Sequence, residues 1–342
     1  MNLALIGSPT VAFVVAALLT RRFCDPKSRL HVLDHPNERS LHSRPTPRTG
    51  GVAILGGLAL AIPAWLVSVD IPKAIIWAIV SATLVGVLSF VDDRRRLHVG
   101  VRLAGHILAA ALVIMIGWSG SVLVLPGLAW AGVSWTGAAV GVFFLVWMTN
   151  LYNFMDGMDG FAGGMTVIGF GSFAVLGWRA GDPAFAVMAI TIAAAAGGFL
   201  LFNFPPARIF MGDTGSATLG FLAGVLSLWG AHQGVFPFWV AILTFSPFIV
   251  DATVTLLRRL LRGERVWQAH KTHYYQRLVQ LGWGHGKTVL WGYVLMLACS
   301  LSALWAVSLG PTGQLILMWV WCGLYLGLMM AVPYLERAKA GV

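Results

Sequence analysis

Long apolar runs return eleven times along this chain, near residues 3–20, 52–69, 74–91, 103–118, 136–152, 161–178, 184–203, 216–232, 235–257, 288–308 and 313–333. A helix that crosses a bilayer needs roughly 20 mostly apolar residues, within a range of about 17 to 25. The pattern therefore predicts an all-α, polytopic integral membrane protein with about eleven transmembrane helices. Composition enters at one point: only 11% of the 342 residues are charged, against roughly 25% in soluble domains. A water-soluble enzyme is excluded. Forty glycines and fifteen tryptophans fit the same solvent, since glycine permits close helix packing in lipid and tryptophan favours the headgroup region. Cys24, Cys299 and Cys322 are too scattered for a disulfide framework. No stretch reads as a soluble second domain, so residues 1–342 form one membrane domain, with cytoplasmic loops near 21–51, 92–102, 153–160, 204–215 and 258–287.

Short cytoplasmic loops are enriched in lysine and arginine. With the N-terminus outside, 21 of the 23 basic residues fall on the cytoplasmic side and only Lys73 and Arg179 outside. Arg21 and Arg22 follow the first apolar run rather than precede it, which argues against a cleaved signal peptide. Topology control and attraction to anionic lipid account for the net charge of +10, and no nucleic-acid partner is called for.

Those terms do not explain the aspartates placed where helices enter the membrane. Asp92 and Asp93 close the third run just before Arg94-Arg95-Arg96, and adjacent carboxylates repel unless a cation or a shared proton compensates them. Between the fifth and sixth runs, Asn150, Asn153, Asp156 and Asp159 recur every three residues, a spacing that groups them on one helical face. With Gly157 and Gly160 beside them, they suggest a hard-cation or phosphate site. A simple Asp-Gly turn would need only one of them. Asp213, followed by Thr214 and Ser216, has the signature of an N-cap for the next helix. A helix start beside Gly212 and Gly215 and opposite Arg208 is also a ready phosphate site. In the basic loop 258–287, His270 and His273 share a face if the segment is helical; two histidines are too few for zinc, and the cations beside them favour an anionic partner or an interfacial helix. Gly282-Trp-Gly284-His-Gly286-Lys287-Thr288 lacks the first glycine of a phosphate-binding loop and reads as the turn opening the tenth span.

All four groups fall on one side of the membrane. A transporter of an anionic solute, the rival class, would hold its carboxylates near mid-span. A carboxylate-held metal at the interface suits a reaction between a soluble phosphorylated donor and a lipid phosphate.

Across nearly its whole length the sequence resembles the polyprenyl-phosphate N-acetylhexosamine-1-phosphate transferases. The resemblance rests on Asp34-His-Pro-Asn-Glu-Arg-Ser-Leu-His-Ser-Arg-Pro-Thr-Pro-Arg48-Thr-Gly50-Gly51, on Asp92-Asp93, on Asn150 to Gly160, on Ala207 to Ser216 and on the His270 loop, in that order. It implies a bacterial cytoplasmic (inner) membrane enzyme with a cytoplasmic active site. It further implies Mg²⁺ (Mn²⁺ as a substitute), a UDP-N-acetylhexosamine donor, undecaprenyl phosphate as acceptor, UMP as leaving group and contact with membrane lipid; a homodimer is left open.

By motif, Asp213 would be a metal ligand with Asn153 as a second, and Asp92 and Asp93 would hold or deprotonate the lipid phosphate. Asp156 and Asp159 would serve the nucleotide, with Asn150 and Arg48 among the substrate-binding residues. His270, His273 and Arg208 would serve the diphosphate, with His273 also among the catalytic groups. Arg102, standing about where the family usually has a lysine, would be a substrate-binding residue in contact with the lipid phosphate. The last loop reads His-Lys-Thr-His-Tyr-Tyr-Gln instead of a His-His-His run, which looks more like the branch starting O-antigen or related surface glycans than the phospho-N-acetylmuramoyl-pentapeptide transferases of peptidoglycan synthesis. Lipid is expected to enter sideways along 235–257, where Pro237 and Pro247 would break the hydrogen-bond ladder.

Overall fold

Helices form within each of the eleven apolar runs in the computed structural model, which describes residues 3–30, 32–36, 41, 44–68, 73–117, 124–125, 128–129, 134–266, 268 and 270–341; residues 69 and 118 of two runs lie outside that description. In chain order these are α1 (Leu3–Cys24), α2 (Gly50–Ser68), α3 (Lys73–Arg95), α4 (Val99–Gly117), α5 (Ser134–Met155), α6 (Phe161–Ala180), α7 (Pro183–Asn203) and α8 (Gly212–His232). A bent pair follows, α9 (Phe238–Thr244) with α10 (Ser246–Leu261), then the short α11 (Tyr274–Leu278), α12 (Gly284–Ala306) and α13 (Pro311–Ala340). Among the described residues, strand is confined to two-residue antiparallel pairs, one of them β1 (Leu33–Asp34) against β2 (Thr46–Pro47).

Among the described residues, seven helices are long and apolar enough to cross a membrane, or eight with the bent pair as one span, beside the eleven expected. The chain is a multi-pass membrane protein.

Helix α8 is the central post. Some 94% of its most apolar stretch is buried, and α2, α3, α5, α6, α7 and α9 all pack on it. Helix α13 is the opposite case, with 17% buried. Small residues let α8 be surrounded so closely: at the crossing with α2, a Cβ on Gly51 would lie 2.2 Å from the Gly215 nitrogen. Main-chain bonds extend this crossing into the loops, with Phe210 N to Pro47 O at 2.7 Å, Gly50 N to Phe210 O at 2.9 Å and Gly51 N to Met211 O at 2.7 Å. The segment carrying Arg48 is thereby fastened to the start of α8.

The ninth run breaks as its prolines predict. Helices α9 and α10 meet at 80°, with Pro237 capping α9 and Pro247 in the first turn of α10. At the bend, Ser246 Oγ donates to Leu243 O at 2.7 Å and lies 2.6 Å from the Tyr325 hydroxyl and 3.4 Å from Cys299 Sγ. The Leu243 carbonyl at the bend is thus met by Ser246, whose hydroxyl is in turn contacted from α12 and α13.

Candidate active site

Asp92 and Asp93 stand, both buried, in the last turn of α3, and consecutive positions on a helix send their carboxylates in different directions. Asp93 accepts bonds from the N–H groups of Asp213 (3.2 Å) and Thr214 (2.9 Å) and from the Thr214 hydroxyl (2.6 Å). Helix α8 has no side-chain cap of its own, so Asp93 caps it from another helix and satisfies its orphan donors. Two expectations change here. Asp213 lies inside the first turn rather than at the N-cap, and the N–H groups of Asp213 and Thr214 are already occupied by a carboxylate. Asp92 instead accepts Leu97 N at 2.6 Å and Arg102 Nη1 at 2.9 Å, and the same Arg102 nitrogen reaches Asp213 Oδ2 at 3.4 Å. Repulsion between the paired aspartates is offset by a helix N-terminus on one and a guanidinium on the other.

The second group does not lie on one helical face. Helix α5 ends at Met155, so Asp156 and Asp159 belong to the turn before α6, which opens after Gly160 in the left-handed region (φ 74). Asn153, in the last turn of α5, donates to Asp213 Oδ1 at 2.9 Å and to Ser216 Oγ at 3.0 Å. Asn150, one turn earlier, returns its amide to the Val146 carbonyl at 2.7 Å and is absent from the cavity wall. Asp159 accepts Ala207 N at 3.0 Å and His285 Nδ1 at 3.0 Å, which joins the turn to the 204–211 loop and to α12.

These elements enclose a cavity of about 210 Å³ whose wall includes Asp34, Arg48, Asp93, Asn153, Asp156, Asp159 and Asp213. Arg48 holds the Asp93 carbonyl and lies 3.9 Å from Asp34. Burial, followed by repulsion from Asp213, Asp93 and Asp159, pushes the Asp156 carboxyl well above the ordinary carboxylate range. Such a set of oxygen donors with excess negative charge suits a hard divalent cation. Among the described residues no three His, Cys, Asp or Glu converge closely enough to enclose a metal by themselves.

The remaining predicted residues sit elsewhere. Arg208 is exposed, its guanidinium 4.8 Å from the Phe202 ring, and it does not line the cavity because the aromatic face holds it outside. His270 and His273 do meet, with ring centroids 4.8 Å apart, but as an irregular segment before α11 rather than on a helix. His273 is buried, its Nδ1 3.2 Å from Asp251 Oδ1. Asp251 also accepts Tyr274 N at 3.0 Å and Tyr275 N at 3.1 Å. Burial, with the nearby charges of His273 and Arg259, holds His270 down at about 4. Neither histidine lines the cavity; Gln276 and His285 do. Sequence reasoning missed both of these, as well as Asn203, whose carbonyl oxygen takes Gly160 N at 2.9 Å and whose amide reaches Ile209 O at 2.8 Å. For His285 a signal existed, a lone imidazole between glycines at a helix start. Asp251, an acid inside an apolar run, was equally visible.

The structure is a multi-pass helical bundle with a carboxylate-lined cavity at one end of its helices. The model of glycosyl transferase family 4 matches residues 75–231. A probable undecaprenyl-phosphate N-acetylglucosaminyl 1-phosphate transferase of Bacillus subtilis is 31% identical over 86% of this chain and 84% of its own. A decaprenyl-phosphate N-acetylglucosaminephosphotransferase of Mycobacterium leprae is 28% identical over 98% and 91%. A phospho-N-acetylmuramoyl-pentapeptide-transferase of Geobacillus thermodenitrificans is 28% identical over 84% and 94%. The chain belongs to glycosyl transferase family 4 and to the polyprenyl-phosphate N-acetylhexosamine-1-phosphate transferases within it.

Proposed function

We propose that this protein transfers an N-acetylhexosamine 1-phosphate from a UDP-sugar to undecaprenyl phosphate, releasing UMP, as the first membrane step of a surface glycan. The convergence of Asp93, Asn153, Asp156 and Asp213 on one cavity carries the reading. An oxygen of the lipid phosphate attacks the sugar-bearing phosphorus of the donor. The phosphorus–oxygen bond to UMP breaks, and the bond from sugar to oxygen survives. Mg²⁺, held by Asp213 and Asn153, would supply charge neutralisation between the two phosphorylated reactants. Asp93 fixes the first turn of α8 and so the placing of Asp213, while Arg102 ties Asp213 to Asp92. Asp156 and Asp159 border the donor's side of the cavity, with Gln276 and His285 beside them. His270 and His273 act from outside the cavity wall by holding the 270–276 segment in place.

The basic-residue asymmetry supports a cytoplasmic site in the inner membrane, with the N-terminus outside. Purified protein given UDP-N-acetylglucosamine and undecaprenyl phosphate is expected to release UMP and form a lipid-linked product. Release of UDP instead, or of nothing across a panel of UDP-N-acetylhexosamines, overturns the proposal.

A further inference from the structure

The start of α12 brings a histidine to the cavity wall from far along the chain. Gly282 (φ 92) and Gly284 (φ 69) have positive φ, which favours glycine, and the break they make ends the preceding helical turn and leaves His285 in the first turn of α12. The side chains of His285 and Asp159 are only 18% and 13% exposed, so water screens their pairing in part.

Three further segments meet around this imidazole. Its Nδ1 lies 3.0 Å from Asp159 Oδ1, and the ring also donates to the main chain of Leu41. Asp159 takes the Ala207 N–H on its other oxygen at 3.0 Å. Leu41, between β1 and β2, lines the carboxylate cavity together with both members of the pair. Carboxylate and carbonyl both accept, and a neutral imidazole has one N–H to offer, so the two contacts coexist only on the protonated ring. The bond to Asp159 accordingly holds the His285 pKa above its ordinary 6.5. Asp159 is the charge set against the ring, while Lys287, further along the same turn, is drawn onto the Trp283 ring at 4.3 Å. Once the ring loses its proton, Nδ1 can only accept, and the Asp159 N–H stands 3.4 Å away to supply that bond in place of the carboxylate. Asp159 is also one of the acids whose charge bears on Asp156, so a cationic His285 moderates the repulsion a phosphorylated molecule meets at this wall.

We propose that His285 is a positioning residue for the nucleotide-sugar donor: joined to Asp159 and Leu41 at once, it holds the α5–α6 turn and the segment carrying Leu41 together as one wall of the cavity. This rests on the function proposed above. Because His285 works through Asp159 and Leu41 and not on the reacting atoms, donor binding suffers more than turnover when it is lost. The test uses the full-length protein with UDP-N-acetylglucosamine and undecaprenyl phosphate. His285→Ala should raise KM for the nucleotide sugar about tenfold, the loss of a bond to a charged group, with kcat and the lipid KM within about twofold. Asp159→Asn, which keeps the shape of the side chain, should raise the same KM, and adding His285→Ala to it should cost less than about twofold more, since partners in one pair are not additive. In the wild type, donor KM should climb as pH rises above 6.5 and His285 gives up its proton; in His285→Gln it should stay flat. Hydrogen exchange in peptides covering 33–47 should quicken in His285→Ala with no substrate present. A donor KM within about twofold of wild type in both single variants overturns the proposal. So does a fall in kcat alone, an equal rise in both KM values, or unchanged exchange over 33–47. Each of these leaves the transferase reading standing, whereas a wild-type protein that releases no UMP sinks the transferase reading and the donor role together.

Discussion

Asn150 and Asn153 are one turn apart on α5, yet only Asn153 reaches Asp213, and their substitutions should separate accordingly. Asn153→Ala is expected to lower UMP release about 10- to 100-fold, as loss of an orienting partner at a metal site usually does; Asn150→Ala should stay within about twofold. Asp213→Asn should abolish measurable transfer while the protein remains folded and inserted, with retained activity ruling out its place in the site. Asp93→Ala removes the cap of α8 and leaves N–H groups unpaired, a cost of about 1–3 kcal/mol visible in thermal melts. His270 offers a pH test. Its folded value of about 4 lies below the ordinary 6.5, so the stability tied to its neutral form is present above about 6.5 and is lost as pH falls through about 4. His270→Gln should flatten the decline in melting temperature between those limits. At this scale the sequence was informative about residue type and less about direction. Asp93, Asn153, Asp156 and Asp213 were legible as boundary oxygens. That α5 would stop at Met155, or that Phe202 would draw Arg208 aside, depends on contacts between distant segments.

The helices themselves were the most legible feature, because lipid forces the backbone to bond internally wherever the chain is apolar long enough. The break between α9 and α10 was legible for the same reason in reverse, since Pro247 denies the ladder a donor. What apolarity could not tell was which helix stands in the centre. Helix α8 does so through small residues, whose effect shows only when a neighbour's position is known. Gly51→Val should therefore be among the most damaging changes in α2. It places methyl groups where the Gly215 backbone lies, and overpacking costs about 1–3 kcal/mol or more. Its expected result is a lowered melting temperature and impaired UMP release together, whereas Gly323→Val on α13, where a Cβ would meet nothing within 4 Å, should leave both unchanged.

Over the whole molecule, chemistry and scaffold are divided along the membrane normal: the acids of the site cluster at one end of the bundle, and packed apolar helices fill the rest. The basic-residue count anticipated this, because it reads loops and needs no tertiary detail. Chelation should silence the purified protein and added Mg²⁺ should restore it, with melting temperature little changed; activity that survives chelator removes the metal from the proposal. Helix α13, barely buried, is held to the site-bearing segment by Arg277, which makes paired bonds of 2.7 and 2.6 Å to Glu336.

The union of residues 47–51 with 210–211 runs through peptide groups, so it is lost to a change that displaces the backbone, such as a side chain placed at Gly50 or Gly51, rather than to one that removes a side-chain atom.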